Sequence, residues 1–244
     1  MDVRVSFPRL IVERLPPAGG ACRIRGEEVA HARARRVTPG DAVILLDGSG
    51  REALGRLTRV DRDGVEVAVD SVREAADDPL GSVHLAVAAV RQERLAWIAE
   101  KSAELGIERL TVVTSGRTQR FRARPELAAR LERLMREAAK QAERARWPTL
   151  DGPMPLADAL RDVSAANRFL LDPSGESFPS VIEGSAALLV GPEGGWTPEE
   201  LREAIAAGWV VVALAAGKLR AETAAIAAAV LARTALARGH QKVH

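Results

Sequence analysis

The chemistry-bearing residues of this sequence gather at two turns. In "LAAGKLRAETAAIAAAVLARTALA" a glycine-containing loop delivers Lys218, Arg220, Glu222 and Thr223 to the start of an alanine-rich helix. Arg220 would meet the positive end of the helix dipole there, an unfavourable placement that a bound anion or RNA would offset. Glu222 and Thr223 have two readings, as caps of that helix or as groups that act on a ligand. The second turn is "LLVGPEGGWTPEE", residues 188 to 200. Gly191, Gly194 and Gly195 around a fixed Pro192 would let a ligand approach bare backbone amides. The spacing fits neither a dinucleotide fingerprint nor a P-loop, and Glu193 would repel a polyphosphate. A non-anionic ligand is therefore expected, the alternative being a plain tight connection between core elements. Metal chemistry is not expected, because Cys22 is the single cysteine and His31, His84, His240 and His244 form no ligand spacing.

Both turns need strands and helices to carry them. Leu188–Val190 reads as a strand buried on both faces, and Thr197-Pro198-Glu199-Glu200 as a capping box with Pro at the first helical position. "VHLAVAAV", "RLTVVTS", "RFLLDPSG", "AALLVGPEGG" and "WVVVALAAGKL" are short apolar runs separated by helical stretches, among them "RQERLAWIAEKSAEL" and a long helix from Pro125 to about residue 144. That alternation predicts an α/β unit with a mostly parallel sheet, whose ligands bind beyond the carboxyl ends of the strands. Three strand ends then act together: Leu171-Asp172-Pro173, Gly191–Gly195, and Leu214–Arg220. Residues 1–72 differ, with short β-rich segments between turn signals at Pro39-Gly40, Asp47-Gly48 and Asp63-Gly64. They predict a small closed or nearly closed barrel with one helix near 27–36. "SVREAADDPLGS" reads as the linker, and the division is placed at 1–72 and 73–244.

The net charge of +2 conceals a segregation. From Arg109 to Trp147 eleven basic residues face four acidic ones, whereas from Pro148 to Glu203 three face ten. The basic stretch holds "SGRTQRFRARPE", a candidate nucleic-acid surface, although part of it is the solvated side of a helix whose apolar stripe is Leu127, Leu131, Leu134, Met135 and Ala138. No run of about twenty apolar residues exists. "MDVRVSFPRL" lacks a signal-peptide core, so a soluble, cytoplasmic protein is expected.

Nearly the whole chain resembles the RsmE family of 16S ribosomal RNA methyltransferases, members of the SPOUT superfamily. The similarity is carried by Arg33 or Arg36 with Gly40, Asp41, Asp47 and Gly48, then "WIAEKSAELGI", "TSGRT", "EAAKQAERARWP", "LLVGPEGGW" and "LRAETA". "GPEGG" followed by "LRAETA" is the specific pair. The resemblance implies a PUA-like β-barrel followed by a SPOUT domain with a deep trefoil knot, assembled as a homodimer. It implies methylation of N3 of one uridine, position 1498, in the 16S rRNA of the small ribosomal subunit, with S-adenosylmethionine (SAM) as cofactor. The SAM pocket would comprise Leu171, Pro173, Gly191, Pro192, Glu193, Gly194, Gly195, Leu214, Gly217, Leu219 and Thr223. A sulfonium cation tolerates Glu193 where phosphate does not.

Arg220 and Glu222 are the catalytic candidates. Arg220 would stabilise the uracil anion, and Glu222 would either accept the N3 proton or hold Arg220 in place. Arg9, Arg33, Arg36, Arg117, Arg120, Arg122 and Arg144 are the expected RNA contacts, and neither a metal nor a membrane is implied. Two departures from the family pattern stand out. Ala215, Ala216, Gly217 and Lys218 replace a Gly-Pro-Arg-like run, and Lys140 replaces a glutamate.

Overall fold

The computed structural model describes residues 7–75, 81–118, 125–215 and 217–242. The chain forms two compact units that do not follow chain order. One comprises residues 1–77 together with Lys140–Arg146, and the other comprises 78–139 with 147–244.

The first unit contains β1 (Arg9–Ile11), β2 (Ala21–Ile24), α1 (Glu27–Ala34), β3 (Ala42–Leu46), β4 (Arg51–Val60) and β5 (Val65–Glu74). They form a five-stranded sheet in the order β1-β3-β4-β5-β2, in which β1 and β3 are parallel and the other pairs antiparallel. Among the described residues β1 and β2 share no ladder, so the sheet is open at that seam. Its core is aliphatic, with Leu10, Val43, Leu45, Leu57, Val65 and Val67 shielded from solvent. Strand β5 runs through Ser71–Glu74, the first part of the segment that reads as a linker, because this stretch pairs with Arg51–Leu54 of β4. Lys140 enters this unit through an ion pair with Glu28, 2.8 Å long and nearly closed to solvent. Glu28 also accepts a bond from the Ile11 amide.

The second unit contains β6 (Val83–Ala88), α2 (Gln92–Glu104), β7 (Arg109–Thr114), α3 (Pro125–Gln141, whose last two residues belong to the first unit), β8 (Thr149–Pro155) and α4 (Leu156–Asp162). It continues with β9 (Asn167–Ser177), β10 (Ala186–Val190), α5 (Pro198–Ala206), β11 (Val210–Ala213) and α6 (Ala221–Lys242). All six strands are parallel, in the order β11-β9-β10-β6-β7-β8. Residues alternate between two apolar layers, as strands buried on both faces require. Leu85, Val87, Leu188 and Val190 pack with α2, α3 and α6, while Ala86, Ala88, Leu189 and Leu170 pack with α4 and α5. No described helix is long and apolar enough to cross a membrane.

His84 sits in β6 against Thr111 of β7, its Nε2 2.8 Å from the hydroxyl. Burial, followed by repulsion from Arg109, pushes its pKa from the ordinary 6.5 down to about 4, with Asp151 opposing the shift. The folded state therefore holds this imidazole neutral while the unfolded chain takes up a proton. Stability is full above pH 6.5 and is lost as pH falls towards 4, by up to about 3 kcal/mol from this group. Urea unfolding of wild type and His84→Gln between pH 7 and 5 checks this. The stability difference between them should move in favour of the variant as pH falls, and a difference independent of pH would refute it.

Candidate active site

Three turns, one inside β9 and two at the carboxyl ends of β10 and β11, enclose a cavity of about 490 Å³. The first is an excursion within β9. Val211 of β11 pairs with Leu170, but Val212 pairs with Glu176, so residues 171–175 leave the ladder between them. Asp172 Oδ1 accepts bonds from the Ser174 amide (2.9 Å) and hydroxyl (2.7 Å), which rounds the excursion into a compact turn.

The second turn follows β10. Gly195 takes φ +71°, where an L side chain is strained, and its amide bonds to the Pro192 carbonyl at 2.8 Å. Gly191 is needed for a different reason, since a Cβ there would lie 2.9 Å from the Trp196 indole. Trp196 is buried, and its Nε1 donates to the Leu171 carbonyl at 3.1 Å, joining the second turn to the first. Thr197 and Glu200 close the capping box of α5 around Pro198. Glu200 does a second job: its Oε2 accepts from the Thr197 amide and its Oε1 from the Gly116 amide, both at 2.8 Å. In the opposite direction, Arg117 Nη1 donates to the carbonyls of Gly194 (2.8 Å) and Trp196 (3.1 Å). The turn after β7 and the glycine turn thus brace each other.

The third turn leads from β11 into α6, whose first backbone bond runs from Ala224 N to Arg220 O at 2.8 Å. Leu214, Gly217, Lys218 and Leu219 line the cavity from this side, with Ala221 and Ala224 of α6. Nothing lies within 4 Å of where a Gly217 Cβ would stand, so this wall is open.

The cavity brings together Leu171, Pro173, Gly191, Pro192, Glu193, Gly194, Gly195, Leu214, Gly217 and Leu219. Thr223 is exposed and does not line it; the small side chains of Ala221 and Ala224 do. Arg220 is exposed next to the cavity-lining Leu219 and Ala221, and its guanidinium makes no hydrogen bond or ion pair with the described residues. Glu222 pairs with Arg94, Oε1 to Nε at 3.5 Å, rather than with Arg220. The other terminus of Arg94 meets the Glu193 carboxylate in close contact. Arg94 is absent from the sequence-based set, although a signal was available: it is the third residue of α2, where a cation opposes the helix dipole.

The expected RNA contacts fall in different surroundings. Arg33 and Arg36 are exposed in the first unit, where Arg36 takes φ +56° just after α1. Arg9 is already engaged, at 2.9 Å with Glu52 and at 3.5 Å with Glu143. Arg144 is partly buried, and desolvation lowers its pKa. Arg117 belongs to the cavity rim, and Arg120 and Arg122 lie outside the described residues. Among the described residues no group of three or more His, Cys, Asp or Glu is placed to hold a metal ion.

The cavity is apolar along Leu171, Val190, Val212 and Leu214, has backbone amides on its glycine side, and carries Glu193 at its edge. Such a surface suits a flat heterocycle with a cationic substituent better than a polyphosphate.

A family model described as an RNA methyltransferase domain matches residues 76–233, and one described as an RNA methyltransferase PUA domain matches residues 24–70. The chain is 33% identical over 232 residues to ribosomal RNA small subunit methyltransferase E of Mycobacterium bovis, covering 89% of this chain and 87% of that one. With the Bacillus subtilis protein of the same name it shares 28% over 240 residues, 89% and 92% of the two chains. Among solved structures it is similar to the Neisseria gonorrhoeae methyltransferase E bound to S-adenosyl methionine, at 25% identity and TM-score 0.82, with 94% and 98% of the chains covered. It is also similar to a probable rRNA-methyltransferase from Porphyromonas gingivalis, at 27% identity and TM-score 0.85 over 95% and 99%. A parallel α/β unit whose strand-end turns build one cavity, preceded by a PUA-like domain and matched along nearly its full length, places this chain in the ribosomal RNA small subunit methyltransferase E family.

Proposed function

We propose that the chain transfers a methyl group from SAM to N3 of one specific uridine in 16S rRNA. The carrying observation is the convergence of three turns on a single cavity with an apolar wall, bare amides and a carboxylate at its edge. The residues present fit SAM: apolar side chains for the adenine, glycines for close approach, and Glu193 compatible with a sulfonium. The solved relative from Neisseria gonorrhoeae, bound to S-adenosyl methionine, supports the same ligand.

When bound, SAM supplies an electrophilic methyl group on sulfur. The protein's task is to make N3 of uracil a nucleophile, which requires loss of its proton. Arg220, exposed next to the cavity-lining Leu219 and Ala221, stabilises the negative charge that then spreads over N3, O2 and O4. Glu222 is the proton acceptor; its Oε2 is buried without a hydrogen-bond partner among the described residues. N3 forms its bond to the methyl carbon as the carbon–sulfur bond breaks, the electron pair stays on sulfur, and the proton passes from Glu222 to water. Alignment of the two reactants supplies most of the remaining rate.

Three broader features belong to this reading. RNA is held by exposed arginines of the first unit and by the N–H groups of Arg117 not used on Gly194 and Trp196. The protein is a homodimer, supported by exposed Trp97 on α2 and Val230 and Leu231 on α6. The second unit is knotted; what supports this is that α6 packs on β6 and β10 while Ala235 of the same helix accepts a bond from Ile182, in the segment joining β9 to β10.

One pair of variants tests binding against catalysis. A Cβ at Gly194 would stand 3.4 Å from the stem of Arg117, so Gly194→Val crowds the braced turn. It should fold yet bind SAM about tenfold or more weakly by calorimetry, about 1.4 kcal/mol. Arg220→Ala should bind SAM nearly normally and lose on the order of a hundredfold in single-turnover methylation of 16S rRNA. Normal turnover at saturating RNA would remove Arg220 from the chemistry, and mass mapping of the product identifies the modified base.

RNA binding is tested by salt. Arg33→Ala with Arg36→Ala should flatten the dependence of log affinity on log salt by up to about 0.7 to 0.9 per lost phosphate contact, and an unchanged slope assigns both to plain surface. Sedimentation velocity should give the mass of two chains for wild type and of one for Val230→Glu. A monomeric wild type removes the dimer from the proposal.

A further inference from the structure

Arg94 projects from the first turn of α2, yet both of its partners stand on other elements. Its Nε faces Glu222 Oε1 at 3.5 Å, and its Nη1 contacts the carboxylate of Glu193. Glu193 belongs to the glycine turn and Glu222 to the first turn of α6, so one guanidinium joins the rim of the cavity to the start of α6. The two carboxylates carry like charge and would repel one another without it. The placement opposes the dipole of α2, so the local helix does not account for it. Arg94 and Glu222 are largely shielded, with 25% and 16% of their side chains exposed, whereas Glu193 is 55% exposed at the rim.

We propose that Arg94 is a positioning residue of the methyl-transfer site, which ties the Glu222 carboxylate to the glycine turn and leaves its Oε2 free for the N3 proton. This rests on the reading of Glu222 as proton acceptor. Arg94 does not touch substrate; it acts through its two partners. The fork geometry of guanidinium lets separate nitrogens serve separate carboxylates, which a lysine ammonium cannot reproduce as a point charge. Besides Arg94 and Glu193, the charged groups nearest Glu222 along the chain are Lys218 and Arg220, both exposed. Among the described residues Glu222 has no other ion pair.

In Arg94→Gln neither carboxylate is held, so kcat should fall about tenfold while KM for RNA stays near wild type. Arg94→Lys keeps the charge without the fork, so its kcat should stay low. Because Arg94 acts through Glu222, adding Arg94→Gln to Glu222→Gln should cost little beyond Glu222→Gln alone.

The experiment is steady-state methylation of unmodified 16S rRNA by the full chain, with circular dichroism checking the fold of each variant. A wild-type kcat in folded Arg94→Gln, or a double variant whose two losses simply multiply, overturns the proposal. If Arg94→Gln does not fold, Arg94→Lys carries the test, and a wild-type kcat in that variant overturns it. Glu222→Gln isolates the premise: full activity there means that the proton leaves elsewhere and the role of Arg94 falls, while methyl transfer by the protein stands. Failure of wild type to bind SAM in calorimetry would instead remove the underlying reading of the cavity.

Discussion

The shape of the candidate site depends on a single guanidinium bonded to two backbone carbonyls. Arg117 holds Gly194 and Trp196 by their oxygens, while Glu200 returns a bond to the amide of Gly116. A glycine turn is by its nature permissive. Without outside bonds its amides would sample many directions, and a ligand would have to order them at its own entropic cost. Here that ordering is done in advance, by side chains from two elements and by the indole of Trp196 reaching the Leu171 carbonyl. The same bonds place the start of the basic segment against the cavity.

Charge separation along the chain has two physical outcomes. Part of the basic stretch is consumed internally: Lys140 is buried against Glu28, and Arg146 lies so close to Gly50 that a Cβ there would fall 2.3 Å from the guanidinium carbon. A buried pair of this kind returns little net stability against a well-packed apolar alternative, but removing one partner strands a charge and is costly. It therefore fixes where the segment 140–146 sits more than how tightly the unit holds together. Elsewhere in the stretch Arg109 pairs with Asp151 at 3.4 Å and Arg117 braces the glycine turn.

How much of this was legible in the sequence depended on the range of the interaction. The passage from β10 through the glycine turn into α5 was readable because every signal is local: three apolar residues, glycines, and a Thr-Pro-Glu-Glu cap. The three strand ends could be grouped because parallel sheets place their ligands at one edge. Strand β8, "TLDGPMP", was not readable, since two prolines and a glycine argue against a strand and its place beside β7 overrides them. Ser71–Glu74 reads as linker because polar and charged residues dominate it, while pairing with β4 makes it strand. Arg94, the inward turn of Arg117 and the partnership of Lys140 with Glu28 join residues far apart in sequence, and no periodicity encodes them. The dipole argument applied to Arg220 would have flagged Arg94 as well.

The loan of Lys140–Arg146 to the first unit bears on synthesis. Glu28 and its cation are separated by 112 positions, and the Gly50 amide bonds to the carbonyl of Ala145 at 3.2 Å. A chain made from the N-terminus exposes the sheet of the first unit long before these partners exist. That unit can collapse around its aliphatic core early, but its Glu28 carboxylate stays without Lys140 until α3 has left the ribosome. Completion of the first unit is thus deferred until much of the second has been translated. Cutting the gene near the apparent linker would yield two fragments, one missing a structural segment and the other carrying it with nothing to bind.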